Sequence, residues 1–276
     1  MVKKMIKILH LYHDLLNLYG DYANAEVLAL ALMGQGYETV IEKKSVGDDI
    51  SLDGYDFVYI GSGTERSLIA CISDIVSIKK ELIDAIESGV PMLASGNSHE
   101  LFGRSIIDKG NARHECLGLF DFETVQGDGR VTGDCVCKSL IIENRIIGFI
   151  NRASVGQQGE IARPFIMEIG TGSADGMSIE GVHYNNLLGT YITGPILVRN
   201  PALLRYFADM TIRFAQSKPD GNSIINVKSE PELLTRDIGL AEPELSDEAK
   251  RARRFFAYQE EAYKRTLKEL LARAEK

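Results

Sequence analysis

The chain has 276 residues, 45% of them hydrophobic and 25% charged, with a formal charge of −8 and a pI near 5.3. That length buries one substantial core, or a core with an appendage. The acidic balance excludes nucleic acid and anionic membrane surfaces as partners, because either repels a chain without a strong basic patch, and the one basic cluster, Lys250 to Arg254, falls inside a predicted helix.

Cys71, Cys116, Cys135 and Cys137 include one Cys-x-Cys, too close for a zinc knuckle and without a second pair at ligand spacing. Reduced thiols in the core are expected, with no metal and no cofactor. The opening run Met1 to Leu9 is too short and too interrupted for a signal peptide, and no apolar stretch approaches ~18 residues. The expectation is a cytoplasmic protein with no membrane span.

Met5 to Tyr12, rich in Ile and Leu, predicts a first buried strand, with His10 and His13 partly exposed at its rim end. A polar loop follows, and Asp21 or Asn17 is placed to cap a helix from about Tyr22 to Met33 that Gly34-Gln-Gly36 stops. Tyr37 to Glu42 and Tyr55 to Ile60 read as strands, the second opening into Gly61-Ser-Gly-Thr-Glu65. A glycine turn directly after a strand lets backbone N–H groups approach a ligand. Ser67 to Ser88 is helical by its isoleucine and leucine spacing, and Gly89 ends it.

Val90 to Gly103 then predicts a strand, a tight elbow at Gly96-Asn97 and a helical start at Ser98. In such an elbow the tip residue stands at the carboxyl end of the sheet above a helix amino terminus, where a nucleophile would normally sit. Here the tip is Gly96, which has no side chain. Alternating strands and helices predict a parallel sheet covered on both faces, with ligands at the strand carboxyl ends. From Leu119 the rhythm changes to strands at Phe120 to Val125, Val131 to Ile142, Arg145 to Phe149, Phe165 to Glu168 and Leu187 to Ile192, closed by a helix from Pro201 to Ala215. Residues 217–246 read as a polar, proline-bearing linker between a domain over 1–216 and an amphipathic helix in 247–276.

Several of these runs carry a resemblance. Leu11 to Asn24, Gly61 to Glu65, the elbow, Gly148-Phe-Ile-Asn-Arg152, and Glu180-Gly-Val through Gly189-Thr-Tyr-Ile-Thr-Gly-Pro195 to Asn200-Pro201 resemble the class I glutamine amidotransferase domains of the CobB/CobQ type, from about Met5 to Ala215. Within that family the motifs come nearest to the small, glutamine-hydrolysing subunits of lipid II isoglutaminyl synthases. The resemblance implies a three-layer α/β/α, flavodoxin-like or Rossmann-like fold. It also implies release of ammonia from glutamine to a Mur-ligase-like partner that amidates a peptidoglycan precursor.

That chemistry needs a cysteine thiolate at the elbow tip, a histidine to shuttle the proton and backbone N–H groups to hold the oxyanion. The family pattern Cys-Gly-Gly falls on Gly96-Asn97-Ser98, Tyr-x-His-Gly-Pro on Tyr191-Ile-Thr-Gly-Pro195, and Gly-Phe-Glu-Asn-His on Gly148-Phe-Ile-Asn-Arg152. The nucleophile position is therefore Gly96 and the histidine position Thr193, so no catalytic residue is intact. The resemblance further implies an oxyanion hole from the turn Gly61, Ser62 and Gly63 and from the amide of Asn97. Arg130 matches an arginine that holds a substrate carboxylate. Gly61, Ser62, Gly63, Asn97, Ser98, Arg130 and Asn151 are the candidate ligand-binding residues, for a small amino-acid-like ligand.

Three alternatives stay open on the residues. Ser95 or Ser98 could serve as a substitute nucleophile with His99 or His183 as base, although Ser98 also suits a helix cap and lacks the glycine two residues on that a Gly-x-Ser-x-Gly elbow requires. Arg130 could be a solvated surface arginine. The carboxyl-terminal stripe of Ala252, Phe255, Phe256, Tyr263, Leu267, Leu270 and Leu271 packs on its own domain or serves a partner or a homo-oligomer.

Overall fold

Strand β1 (Met5–Leu11) alternates between two cores: Ile6 and Ile8 face one, Leu9 and Leu11 the other. The same division runs through β3 (Phe57–Ile60), where Phe57 and Tyr59 oppose Val58 and Ile60, and β4 (Met92–Ser95), where Leu93 opposes Met92 and Ala94. Strands buried on both faces are the mark of a parallel sheet between helical layers. The computed structural model describes residues 5–157, 162–173, 178–218 and 247–275.

Helix α1 (Ala23–Gly34) covers the first face, and α2 (Glu65–Ser77) with α3 (Lys79–Glu87) the second. The helix expected over Ser67 to Ser88 is thus two helices: Ile78 leaves helical geometry, and the Ser77 hydroxyl donates to Asp74 O at 2.6 Å, competing with the backbone ladder. Strand β2 (Glu38–Lys44) lies at one edge, beside β1. Past β4 the chain makes a 3-10 turn over Gly96–Phe102 and a short hairpin, β5 (Ser105–Ile107) and β6 (Arg113–Glu115). At three residues each, those two strands are too short to register as a pattern.

A second sheet grows from the long strands β7 (Glu123–Ser139) and β8 (Ile146–Gln157), joined by β9 (Phe165–Ile169) and β10 (Ile179–Glu180). Phe120 to Val125 and Val131 to Ile142 were expected as separate strands; Gly127-Asp-Gly129 is instead absorbed within β7, where the pairing with β8 shifts register between Gln126 and Val131. Strand β8 likewise runs past its expected end at Phe149. The parallel sheet is completed by β11 (Val182–Tyr184) and β12 (Leu187–Thr190), in the order β11-β12-β4-β3-β1-β2 with β11 antiparallel. The strand expected over Leu187 to Ile192 breaks at Tyr191, whose N–H donates to the Glu180 carboxylate at 2.7 Å. The chain then leaves the first sheet, and β13 (Ile192–Thr193) pairs with β8 of the second.

Buried charge fastens the two sheets together behind the elbow. Glu180 accepts from Ser173, Thr190 and Tyr191, and Arg152, only 2% exposed, donates to Ser154 O and to Gly172 O and stands 5.4 Å over the Tyr191 ring. The Tyr191 hydroxyl donates to Glu100 at 3.0 Å. Burial pushes Glu100 up to about 7 against that hydrogen bond, and raises Glu180 as well.

Helices α4 (Ile196–Arg199) and α5 (Pro201–Ser217) follow, separated at Asn200, whose amide side chain bonds both Ile147 N–H and Ile147 C=O. Residues 219–246, most of the expected linker, lie outside the described residues. Helix α6 (Asp247–Ala274) returns to the domain. Ala252 and Phe256 join the core under α1 and α5, Tyr263 and Leu270 cover Val136 and Ile147, and Gln259 donates to Leu197 O and Val198 O. Of the two readings of this stripe, packing on its own domain is the one these contacts carry, through Ala252, Phe256, Tyr263 and Leu270. Among the described residues no helix is long and apolar enough to cross a membrane.

Two outcomes are expected. Phe256→Ala removes a buried ring from the α1–α6 seam and costs about 3 kcal/mol, read from urea unfolding midpoints. Glu100 keeps its proton in the fold to about pH 7, whereas an unfolded glutamate loses it near 4.5, so the folded state binds more protons between those values and stability falls as pH rises. Relative to Glu100→Gln, the wild-type chain therefore loses on the order of 3 kcal/mol between pH 4.5 and pH 8; parallel Tm profiles of the two proteins would contradict this.

Candidate functional site

The strand and the tight turn form where the sequence predicts, but the helix expected from Ser98 is a 3-10 segment that begins at Gly96 itself. Strand β4 ends at Ser95, and Gly96 follows with φ +65, a left-handed conformation that costs glycine nothing and other residues roughly 1–2 kcal/mol. The space above Gly96 is filled. A Cβ built on it would lie 2.2 Å from Ser62 Cβ and 2.7 Å from Ser62 Oγ, far inside van der Waals contact. The side chain at the middle of the glycine turn thus occupies the volume that a side chain at the tip would need.

The turn itself is tight for packing reasons. A Cβ on Gly61 would come within 2.3 Å of Leu16 O, and one on Gly63 within 2.4 Å of Leu16 Cδ2, so both glycines are required by the loop crossing behind them. Asn97 ties elbow to turn through two bonds, accepting from Gly63 N–H at 3.0 Å and donating to Gly63 C=O at 2.9 Å. An amide that would stabilise an oxyanion is therefore already engaged. Ser62 N–H donates to Asp21 Oδ2 at 2.9 Å, and Leu18 N–H donates to Ser62 C=O at 2.8 Å.

Asp21 stands just before α1, but its side chain turns beneath the elbow instead of capping the helix; Asn17 supplies the predicted loop-to-helix bond, accepting from Tyr22 N–H at 2.9 Å. The buried Asp21 carboxylate accepts from Ser62 N–H, the Ser95 hydroxyl and the Asn24 amide, and burial still raises it to about 6. The Tyr59 hydroxyl joins Ser95 and Asn24, and Asn24 Oδ1 accepts from Leu197 N–H, so one buried chain of bonds links the elbow to the start of α4.

Neither substitute nucleophile is hydrogen-bonded to His99 or His183. Ser95 is committed to Asp21, and Ser98 Oγ donates to Ser95 O and Ile60 O at 2.9 and 3.1 Å instead of capping a helix. His99 is buried, its Nδ1 lies 2.7 Å from Gly96 O, and burial lowers its pKa to about 4. His183 is likewise lowered by burial. Thr193 hydrogen-bonds back to Phe149 O at 3.0 Å. His10, expected at a partly exposed rim, is 1% exposed beside Tyr59, and burial lowers it to about 4. The four cysteines are free and buried, and among the described residues no group of three or more His, Cys, Asp or Glu is placed to hold a metal.

An open cleft of about 170 Å³ lies outside the filled elbow. Ser62, Gly63, Thr64 and Glu65 form one wall, Arg130 and Asn151 the other, with Leu18 and Tyr19 at the margin. Arg130 leaves β7 within the register shift and donates to Glu65 Oε1 and Asn151 Oδ1, both at 2.7 Å; Asn151 in turn donates to the Tyr19 hydroxyl at 2.6 Å. Arg130 is thus an exposed arginine, its side chain 44% accessible, that is also held by two partners. Of the candidate ligand residues, Ser62, Gly63, Arg130 and Asn151 come together in this cleft, whereas Gly61, Asn97 and Ser98 are packed behind it. Glu65 and Tyr19 were missed: Glu65 reads as an ordinary first-turn acid of α2, and Tyr19 is brought in by a left-handed backbone at φ +59.

Comparison with known proteins fits this geometry. Residues 7–201 match the CobB/CobQ-like glutamine amidotransferase domain. The chain is 31% identical over 209 residues to the subunit GatD of the glutamine-hydrolysing lipid II isoglutaminyl synthase of Staphylococcus aureus, covering 74% of this chain and 83% of that one. It is 32% identical over 203 residues to the Streptococcus pneumoniae GatD, covering 72% and 77%. Its fold is similar to that of the glutaminase domain of Trypanosoma brucei CTPS, solved with bound acivicin, at a TM-score of 0.50 and 12% identity over 77% of this chain and 94% of that domain. With the doubly covered parallel sheet, the elbow after β4 and a family match over most of its length, this chain belongs to the CobB/CobQ-like glutamine amidotransferases.

Proposed function

We propose that this chain is a glutaminase-silent member of its family, a cytoplasmic subunit that binds a small amino-acid-like ligand and docks on a Mur-ligase-like partner. The observation that carries the reading is the contact between Ser62 and Gly96: the volume of the missing thiol is occupied, so the loss is more than one side chain deep. Three further features support it. Gly63 N–H is engaged by Asn97, Thr193 is bonded to backbone, and neither Ser95 nor Ser98 is bonded to a histidine. Catalytic groups that act as a unit lose several powers of ten together, so a surviving fragment of the site does not sustain turnover. The GatD relatives are named as subunits, which supports reading this chain as one part of an assembly.

The test is ammonia release from glutamine by the purified chain, alone and with a Mur-ligase-like partner. The expected rate equals the buffer blank, and turnover at ordinary enzymatic speed overturns the reading. Restoring the dyad with Gly96→Cys and Thr193→His is expected to recover almost nothing. A side chain at 96 meets Ser62, and Ile150 and Arg152 are locked into the core. Gly96→Cys alone destabilises by about 2 kcal/mol or more through backbone strain and overpacking. Adding Ser62→Gly relieves the steric part, giving a coupling of roughly 1 kcal/mol or more in a urea double-mutant cycle.

A further inference from the structure

We propose that helix α6 is a clamp on the elbow: docked through Gln259, it fixes α4 and, through α4, the buried bonds that hold Ser62 against Gly96, and its release loosens that contact. The helix lies beyond residues 7–201, which match the family domain, so the clamp comes from outside the shared fold. It is independent of whatever the cleft takes. Two observations carry it. The first is where the Gln259 amide goes. Helix α4 has only four residues, so its last carbonyls have no partner within the helix. Gln259, 5% exposed, donates Nε2 to two of them, Leu197 O at 2.7 Å and Val198 O at 2.9 Å. The same Leu197 donates its N–H to Asn24 Oδ1 at 2.8 Å. Asn24 Nδ2 in turn donates to Asp21 Oδ1 at 3.2 Å, and Asp21 Oδ2 accepts from Ser62 N–H at 2.9 Å. From Gln259 to Ser62 every member is buried, so a bond broken within the chain leaves groups that water does not reach.

The second observation is that α6 grips both helices that meet at the Asn24–Leu197 bond. On α1, which carries Asn24, a Cβ built on Gly34 would lie 3.0 Å from Ala252 Cβ, so the two helices approach about as closely as a glycine permits. Phe256 joins the core beneath the same helix. On the other side Gln259 holds the end of α4, and Glu260 pairs with Arg205 of α5. Lifting α6 therefore removes a wall of α1 and the cap of α4 together, and the bond between them loses support from both sides. Tyr263, a turn further along α6, bonds Arg145 O at 2.8 Å and takes no part in this chain.

Amide hydrogen exchange on the full chain tests this, read at the Leu197 and Ser62 amides, with the amides of β9 as the reference for global unfolding. Gln259→Glu keeps the shape of the side chain but puts an acceptor where the donor was. It is expected to speed exchange at both amides about tenfold or more while β9 stays within about twofold of wild type. Tyr263→Phe deletes a different α6 bond and is expected to leave Ser62 within about twofold. Native-state exchange of the wild-type chain in low urea is a second reading that needs no variant: the amides of α6, Leu197 and Ser62 are expected to open together, with one urea dependence. Faster exchange at Leu197 with Ser62 unchanged, an equal rise at β9, the same rise at Ser62 in Tyr263→Phe, or a Ser62 opening separate from that of α6 overturns the clamp.

Discussion

Everything distinctive about this molecule depends on one contact, the Ser62 side chain against the α-carbon of Gly96. The elbow keeps the left-handed backbone that lifts a nucleophile clear of a sheet, yet φ +65 at a residue without a side chain carries no strain that function has to justify. Once glycine stands at the tip, the turn opposite is free to carry a side chain, and once serine is there the tip cannot regain one without overlap. The two positions are coupled sterically, which makes the present arrangement a stable packing solution and not a simple deletion.

The surrounding polar groups reinforce it. Asp21, Ser95, Tyr59 and Asn24 form a buried cluster whose members satisfy one another and the Ser62 and Leu197 amides, and Asn97 spends both ends of its side chain on Gly63. Buried polar groups are costly only when unmatched, so such a mutually satisfied cluster holds the loops in place. The raised carboxyl of Asp21, near 6, records the cost of burying it even with several donors present. The second cluster, Glu100, Glu180, Arg152 and Tyr191, does for the junction of the two sheets what the first does for the elbow.

Much of this was legible in the sequence where a residue's meaning is local. The parallel sheet followed from continuous apolar runs such as Phe57-Val-Tyr-Ile60, and the elbow from a Gly-Asn pair after Met92-Leu-Ala-Ser95, because strand burial and left-handed turns are written in a few adjacent residues. What was illegible depends on distant partners. Asp21 reads as a helix cap until Ser62 and Ser95, 41 and 74 positions away, claim its carboxylate. Arg152 sits in a strand pattern that gives no hint of burial. Gly127-Asp-Gly129 carries every mark of a turn, but partner strand β8 is long enough to absorb it as a shift in register. Tyr191 looks like mid-strand until a glutamate from β10 takes its N–H and the chain changes sheets.

These constraints meet at the cleft beside the elbow. The Ser62 side chain fills the volume over Gly96, while Arg130, its carboxylate partner Glu65 and the Asn151–Tyr19 bond line a cleft that stays open beside it. Fixing an exposed arginine costs side-chain entropy, and a single surface ion pair is worth about 0–1 kcal/mol. Here two partners from different elements, the first turn of α2 and strand β8, hold the guanidinium over a cavity. That arrangement fixes a cation at the rim of the cleft, with Ser62 between the cleft and the elbow.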